Sequence, residues 1–145
     1  MKPRLNFFAS GPVAMQALAS LNQHLAQSGL DALLMELVGL RASQINGCAF
    51  CIDRHMSDAR KAGEAERRLA MVAVWRETPF FTDRERAALE WTEAVTSISK
   101  THAPDSAWEQ VRAQFEPAEL VNLTLLITTV NAWNRFAIAF RKMPS

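Results

Sequence analysis

Two cysteines and a histidine carry the clearest chemical signal in this sequence. Cys48 and Cys51 are the only cysteines among the 145 residues, and His55 follows Cys51 by one helical turn. On a helix that rotates by about 100° per residue, the three positions fall within roughly 60° of one another, so two sulfurs and an imidazole can share one face. The spacing predicts a redox-active thiol pair with a base beside it.

A reactive thiol pair needs a group that activates it, because a thiolate rather than a thiol attacks peroxides and disulfides. A helix that begins at the cysteines would place N–H groups and partial positive charge near Cys48 and Cys51. His55 can accept or relay a proton from one turn further along. The arrangement favours a dithiol that is ready to react.

Glu36 is the third element of the predicted site. It lies inside the apolar run from Leu33 to Val38, where a carboxylate is costly to bury unless it is hydrogen-bonded or paired. The helices that carry Glu36 and His55 are joined at Asn46-Gly47, and we expect them to pack against each other. Glu36 could then orient or protonate His55, which predicts a Glu–His–Cys relay.

Composition and charge limit the class of protein. With 145 residues, 49% of them hydrophobic and 21% charged, residues 1–145 are expected to form a single globular domain. The net charge of +1 and the absence of a long basic run argue against nucleic acid as a partner. No apolar segment of signal-peptide length occurs in residues 1–15, so we expect a cytoplasmic protein, where cysteines are more often catalytic, redox-active or metal-binding than structural.

Helical periodicity dominates the chain, and no alternating run predicts a strand. We therefore predict an all-α, single-domain bundle of about seven helices. The predicted helices run from Pro12 towards Gly29, from Asp31 to Asn46, from about Cys48 to Ala62, from about Ala65 to Arg76, from the Thr82–Glu85 capping box to about Val95, from Pro104 to Phe115, and from Pro117 through the uncharged residues 120–134.

The last predicted helix is the most apolar. Residues 120–134 carry no charge, but a span of 15 residues is short for a membrane, and Asn122, Asn131 and Asn134 would need partners in lipid. We expect this helix to be buried in the bundle core or in a subunit interface. Association through apolar helix faces predicts a homo-oligomer.

The four candidate residues also carry a family resemblance. Glu36, then eleven residues, the Cys48-x-x-Cys51 motif, then three residues and His55, resembles the AhpD-like alkylhydroperoxidase group of the carboxymuconolactone decarboxylase family. Further similarity lies in Ser43-x-x-Asn46-Gly47-Cys48, in the stretch from Trp75 to Thr96, and in Asn131-x-Trp133-Asn134-Arg135.

The resemblance implies an AhpD-like helical fold, a homo-oligomer, and a thiol-dependent peroxidase of antioxidant defence that needs no metal or organic cofactor. Cys51 would be the peroxidatic cysteine and Cys48 the resolving one, while Glu36 and His55, with a water, would relay protons through Cys48 to Cys51. The implied partners are a hydroperoxide substrate and an external dithiol or protein disulfide reductant. One departure is Phe50, since AhpD has a histidine just before the second cysteine.

Other interpretations of the motif remain open at this point. The cysteines could be buried as small hydrophobic side chains, or Cys48, Cys51 and His55 could bind zinc with Glu36 as a fourth ligand. The same disulfide could also serve a redox adaptor or sensor that passes electrons between partner proteins with little peroxidase activity. Lactone decarboxylation, as in the namesake of the family, would not need a redox pair.

Arg135 is the polar residue whose place is least defined by the sequence. It follows the apolar part of the last predicted helix, and it could either pair with Glu36 or another carboxylate, or line a pocket.

Overall fold

Capping side chains set several helix boundaries in the computed structural model, which describes residues 1–144. The carboxylate of Asp31 accepts a hydrogen bond from the backbone N–H of Leu34 at 2.8 Å. Thr82 and Glu85 form a reciprocal capping box, and Gly47 ends a helix with a φ of 70°, in the left-handed region that glycine tolerates best. These three predicted boundaries are confirmed.

The described residues contain nine α-helices and one 3-10 helix, and no strand, which confirms the predicted all-α class. Seven of the α-helices correspond to predicted ones. The other two, α1 and α7, are single turns and are too short to show a periodicity. The bounds are α1 Phe7–Ser10, α2 Pro12–Ala26, α3 Ala32–Asn46, α4 Ala49–Lys61, α5 Glu66–Met71, the 3-10 helix Val72–Glu77, α6 Asp83–Thr96, α7 Ile98–Thr101, α8 Asp105–Arg112 and α9 Pro117–Ala139.

The prediction of one α-helix from Ala65 to Arg76 is wrong beyond Met71. The chain tightens into a 3-10 helix there, and Val74 leaves the helical region with φ −125° and ψ 32°. Trp75 becomes buried, and its indole N–H donates to the Glu93 carboxylate at 2.8 Å. Tertiary contacts of Trp75 therefore override a helix propensity that the β-branched valines already weaken.

Helix α3 lies at the centre of the molecule and packs against α4, α6 and α9. Its residues Leu37, Val38 and Leu40 have no exposed surface, although they point in different directions around the helix. Leu37 and Leu40 belong to a cluster with α4, the 3-10 helix and α6, whereas Val38 belongs to the main core with α6, α8 and α9. Burial on several sides fixes α3, and with it Glu36.

Helix α9 begins at Pro117, as predicted, and continues past the uncharged residues 120–134 to Ala139. Its apolar residues Leu123 and Ile127 are fully buried in the main core. Within residues 1–144, no helix is both long enough and apolar enough to span a membrane.

Candidate active site

The turn between α3 and α4 positions the cysteines. Gly47 lets the chain reverse direction, and Cys48 then adopts an extended conformation as the N-cap of α4. The Cys48 Sγ accepts a hydrogen bond from the backbone N–H of Cys51 at 3.3 Å. A sulfur in this position receives both an N–H donor and the partial positive charge of the helix N-terminus, and both stabilise negative charge.

Cys48 and Cys51 form a disulfide, with their Cα atoms 5.3 Å apart. Both residues are buried, and they pack against Ala137 of α9 and the ring of Phe50. The structure therefore shows the oxidised form of the cysteine pair. Reduction to the dithiol would take two electrons.

His55 and Glu36 meet across the interface between α4 and α3. The Nδ1 atom of His55 lies 2.7 Å from Oε2 of Glu36. Because a carboxylate only accepts, this contact assigns the proton to Nδ1, and in the neutral ring it leaves Nε2 as an acceptor. No residue of the described chain hydrogen-bonds to Nε2, which is the arrangement expected of a proton carrier held in place by its other nitrogen.

Gly39 makes room for the imidazole. A Cβ atom at position 39 would lie 2.7 Å from both ring nitrogens of His55 and would also collide with Cε1. The ring thus rests directly on the backbone of α3, one turn beyond Glu36. Position 39 accepts only glycine if His55 is to keep this orientation.

A cavity of about 330 Å³, called the first cavity below, brings these groups together. Its wall includes Cys51, Glu36 and His55, whereas Cys48 does not line it. Its volume lies at the lower end of the range typical of small-molecule sites, and most of its wall is apolar, as in such sites. The remaining lining residues are Phe7, Phe8, Asn22, Leu25, Ala26, Met35, Phe50, Arg54, Asp58, Leu126, Val130, Trp133, Asn134 and Ala137.

Amide side chains join the end of α3 to α9 behind the disulfide. The Nδ2 group of Asn46 donates to Oδ1 of Asn131 at 2.9 Å and to Oδ1 of Asn134 at 2.8 Å. Asn134 in turn donates to the Ser43 hydroxyl at 3.1 Å. This network, in which Asn46 is half-buried and Asn131, Asn134 and Ser43 are buried, holds the turn that carries the cysteines against α9.

Among the described residues, Arg135 fits neither of the two alternatives that the sequence left open, because it pairs with no carboxylate and lines neither the first cavity nor the one beside Cys48. The guanidinium of Arg135 instead donates to the backbone carbonyl of Asn131, one turn earlier on the same helix, at 3.1 Å. Asn134 points into the protein, so its neighbour Arg135 is rotated by about 100° towards the surface. A side chain in that direction does not reach Glu36.

The described residues contain no group of three or more His, Cys, Asp and Glu side chains close enough to hold a metal ion. Asp58 lines the first cavity, but its carboxylate lies 3.6 Å from Arg54 and 3.2 Å from Lys61 rather than beside His55. These three side chains form a charged face at i, i+3 and i+4 spacing on α4. Glu36 is therefore the carboxylate that orients His55.

Sequence reasoning missed Gly39 and the aromatic residues Phe7 and Phe8. A glycine inside the apolar run of α3 was a usable signal. Glycine destabilises a helix interior, so its presence there often means that another group packs closely against the backbone. Phe7 and Phe8 lie on the single-turn helix α1, which has no periodic pattern. Their place in the cavity wall depends on how α1 packs beside α9, through the contact of Phe7 with Phe136 and of Phe8 with Trp133.

Comparison with known proteins places this architecture in a family. The family model described as "Carboxymuconolactone decarboxylase family" matches residues 12–94, more than half of the chain. The uncharacterized protein YdfG of Bacillus subtilis is 39% identical over 139 residues, which cover 96% of this chain and 95% of YdfG.

Two crystal structures show the same fold. A protein of unknown function from Agrobacterium tumefaciens, provisionally named antioxidant defence protein AhpD, is 43% identical, with a TM-score of 0.97 over 99% of both chains. An uncharacterized peroxidase-related protein from Ralstonia eutropha, described as an alkylhydroperoxidase AhpD core, has a TM-score of 0.83 at 20% identity over 95% of this chain and 74% of its own. The resemblance read from the motif is confirmed, and this chain belongs to the carboxymuconolactone decarboxylase family, in its AhpD-like group.

Proposed function

We propose that this protein is a thiol-dependent peroxidase that reduces hydroperoxides through a dithiol–disulfide cycle. One observation carries the proposal: Cys51, one half of a disulfide, and the hydrogen-bonded pair Glu36–His55 line the same cavity. A redox-active sulfur, a proton carrier and a space for a small substrate are the three parts that such a reaction needs.

The cycle begins with both cysteines reduced. The Cys51 thiolate attacks the outer oxygen of a hydroperoxide, the O–O bond breaks, and the leaving alkoxide takes a proton and departs as an alcohol. Cys51 is now a sulfenic acid. The Cys48 sulfur displaces its hydroxyl as water and closes the disulfide, so the peroxide has gained the two electrons that the thiols have lost.

The assignment of roles to the two sulfurs rests on the family resemblance and on access. Cys51 lines the first cavity with His55 and Glu36, whereas Cys48 does not. A substrate in this cavity therefore meets Cys51 first. His55, oriented by Glu36, would remove the thiol proton and supply the proton that the alkoxide needs, with a water completing the relay through Cys48.

The provisional name of the Agrobacterium protein and the description of the Ralstonia one support a peroxidase of antioxidant defence. Under this proposal the protein acts as a single domain, in the cytoplasm and as a homo-oligomer, without a metal or organic cofactor. An external dithiol or a protein disulfide reductant resets the disulfide.

The direct test follows peroxide consumption by the purified protein with a supplied dithiol. We expect activity in the wild type and its loss in Cys51→Ser and in Cys48→Ser. Serine is the suitable replacement at position 48 because its hydroxyl can keep the N-cap hydrogen bond of α4. Loss of activity in Cys48→Ser with unchanged helicity then reports chemistry rather than unfolding.

The same experiment separates the rival function. A redox adaptor would cycle between dithiol and disulfide with a partner protein but consume no peroxide, and that result would replace the peroxidase proposal. Equal peroxide consumption in the wild type and both serine variants would contradict both functions.

A further inference from the structure

A second cavity, of about 370 Å³, lies on the other side of the disulfide. Cys48 lines this second cavity and Cys51 does not, which is the reverse of the first cavity. Phe50 and Ala137 line both cavities and so form the partition between them. The two cysteines of one disulfide therefore border two different spaces.

The second cavity is electropositive. Arg4, Arg141 and Lys142 line it, and among residues 1–144 no aspartate or glutamate does. None of these three cations forms an ion pair with a carboxylate of the described residues. The ammonium of Lys142 lies 4.7 Å from the centre of the Phe50 ring, so one of the charges rests on the partition itself.

The first cavity has a different charge pattern. The carboxylates of Glu36 and Asp58 line it together with the single guanidinium of Arg54. A molecule with negative charge is therefore favoured in the second cavity and not in the first. The cavity lined by Cys48 therefore holds the positive charges that are unpaired among the described residues, and the cavity lined by Cys51 holds the carboxylates.

We propose that the reductant binds in the second cavity, attacks Cys48, and is a small thiol compound that carries carboxylate groups. This inference rests on the proposed function, because it describes how the disulfide left by the peroxidase step is reset. Cys48 is buried, with 1% of its surface exposed, which disfavours attack by a thiol held on the rigid surface of a partner protein. The volume of the second cavity suits a small molecule.

The reaction balances as two thiol–disulfide exchanges. A thiolate of the donor attacks the Cys48 sulfur, the bond between Cys48 and Cys51 breaks, and Cys51 leaves as a thiolate that takes a proton on the side of His55. The donor's second thiolate then attacks the donor sulfur that is bonded to Cys48. This step closes a disulfide within the donor and expels Cys48 as a thiolate. The Cys51 N–H at 3.3 Å stabilises that leaving group, and the donor leaves as a disulfide, having given two electrons.

Dihydrolipoate and dihydrolipoamide form a matched pair of probes, because they share the same dithiol and differ in a distant carboxylate or amide. The measurement is the rate at which each reduces the disulfide form, without peroxide, followed by thiol titration. We expect dihydrolipoate to react faster with the wild type, and this advantage to shrink as salt screens the charges. In Arg141→Gln/Lys142→Gln, the ratio of the two rates should fall by roughly three- to tenfold.

Lys100→Gln is the matched control, since Lys100 is exposed and lines neither cavity. It should leave the ratio of rates unchanged. Equal rates for the two donors in the wild type, or the same ratio in the double variant, would overturn the inference. Neither result bears on peroxide consumption, so failure here is distinguishable from failure of the proposed peroxidase.

Single-cysteine variants give an independent measurement. The free Cys48 of Cys51→Ser and the free Cys51 of Cys48→Ser are each titrated with anionic dithiobis(nitrobenzoate) and with neutral dithiodipyridine. We expect the ratio of anionic to neutral rates to be higher for Cys48, and to fall for Cys48 alone when Arg141 and Lys142 become glutamine. Equal ratios at the two sulfurs would show that charge does not distinguish the cavities.

Discussion

His55 rests on Gly39, with no space between them for even a methyl group. A Cβ at position 39 would lie 2.7 Å from each ring nitrogen, whereas the Glu36 carboxylate, one turn earlier, holds Nδ1 at the same distance of 2.7 Å. Two residues of α3 thus determine the position of one imidazole of α4, Glu36 by attraction and Gly39 by leaving space. The orientation of the proposed proton carrier depends on both.

Gly39→Ala should disable the site while leaving α3 helical. The added methyl must displace His55, which breaks the contact with Glu36, and we expect a cost of about 1–3 kcal/mol in the free energy of unfolding. Urea denaturation and the rate of peroxide-dependent oxidation measure the two effects. We expect the oxidation rate to fall to the level of His55→Ala.

The double variant Gly39→Ala/His55→Ala provides the control. With the ring gone, alanine at position 39 has no clash and should raise the free energy of unfolding by about 1 kcal/mol relative to His55→Ala, because alanine favours a helix over glycine. If Gly39→Ala changed the free energy of unfolding equally in the wild type and in His55→Ala, the contact between His55 and Gly39 would be contradicted.

Glu36→Gln should slow the reactions of the reduced thiols. Glutamine can still hydrogen-bond to Nδ1, but it carries no charge to balance a protonated imidazole, and we expect a decrease of about tenfold or more. The measurement is the rate of iodoacetamide alkylation and of peroxide oxidation across neutral pH. Asp58→Asn is the matched control, since Asp58 lines the same cavity without contacting His55. If both rates fell equally in Glu36→Gln and Asp58→Asn, the loss of any negative charge in the cavity would explain the result, and the specific role of Glu36 would be contradicted.

Asn134→Ala should destabilise the turn that carries the cysteines. Asn134 is fully buried, and its loss leaves Asn46 and Ser43 with unmatched polar groups. We expect the free energy of unfolding to fall by about 2–4 kcal/mol. Urea denaturation checks this against Gln23→Ala, an exposed amide on α2 that should change stability very little.

Because of Glu93, the free energy of unfolding should depend on pH in the acid range. Burial raises the pKa of the Glu93 carboxyl, but the Trp75 indole N–H and the guanidiniums of Arg76 and Arg41 outweigh it and hold that pKa below 4.5. Between the two pKa values the folded state binds fewer protons than the unfolded state, so its stability rises with pH. The contribution of Glu93 is therefore complete above pH 4.5 and is lost as pH falls through the lowered pKa.

Glu93→Gln is the corresponding variant. It should cost about 1–3 kcal/mol in the free energy of unfolding near neutral pH, and less as pH falls, because protonation removes the same charge in the wild type. Thermal unfolding of both proteins from pH 3 to 7 measures the difference. A difference that does not change with pH would show that the charge of Glu93 contributes nothing.

Local sequence determined most of the helices. The caps at Asp31 and Thr82 and the glycine at position 47 set boundaries through contacts within a few residues, which a sequence shows directly. The same is true of the cysteine pair at the start of α4. The 3-10 helix after Met71 was not predictable in this way, because the burial of Trp75 and its bond to Glu93 on another helix decide it.

The sequence alone determined which chemistry this protein could perform, since Glu36, Cys48, Cys51 and His55 are readable by type and spacing. Only the tertiary structure decided how they meet: that His55 rests on Gly39, that Arg135 turns away from Glu36, and that each cysteine borders its own cavity. The physical reason is distance along the chain. Spacing within one helix fixes which side chains share a face, but the packing of α1, α3, α4 and α9 fixes which spaces and charges those side chains encounter.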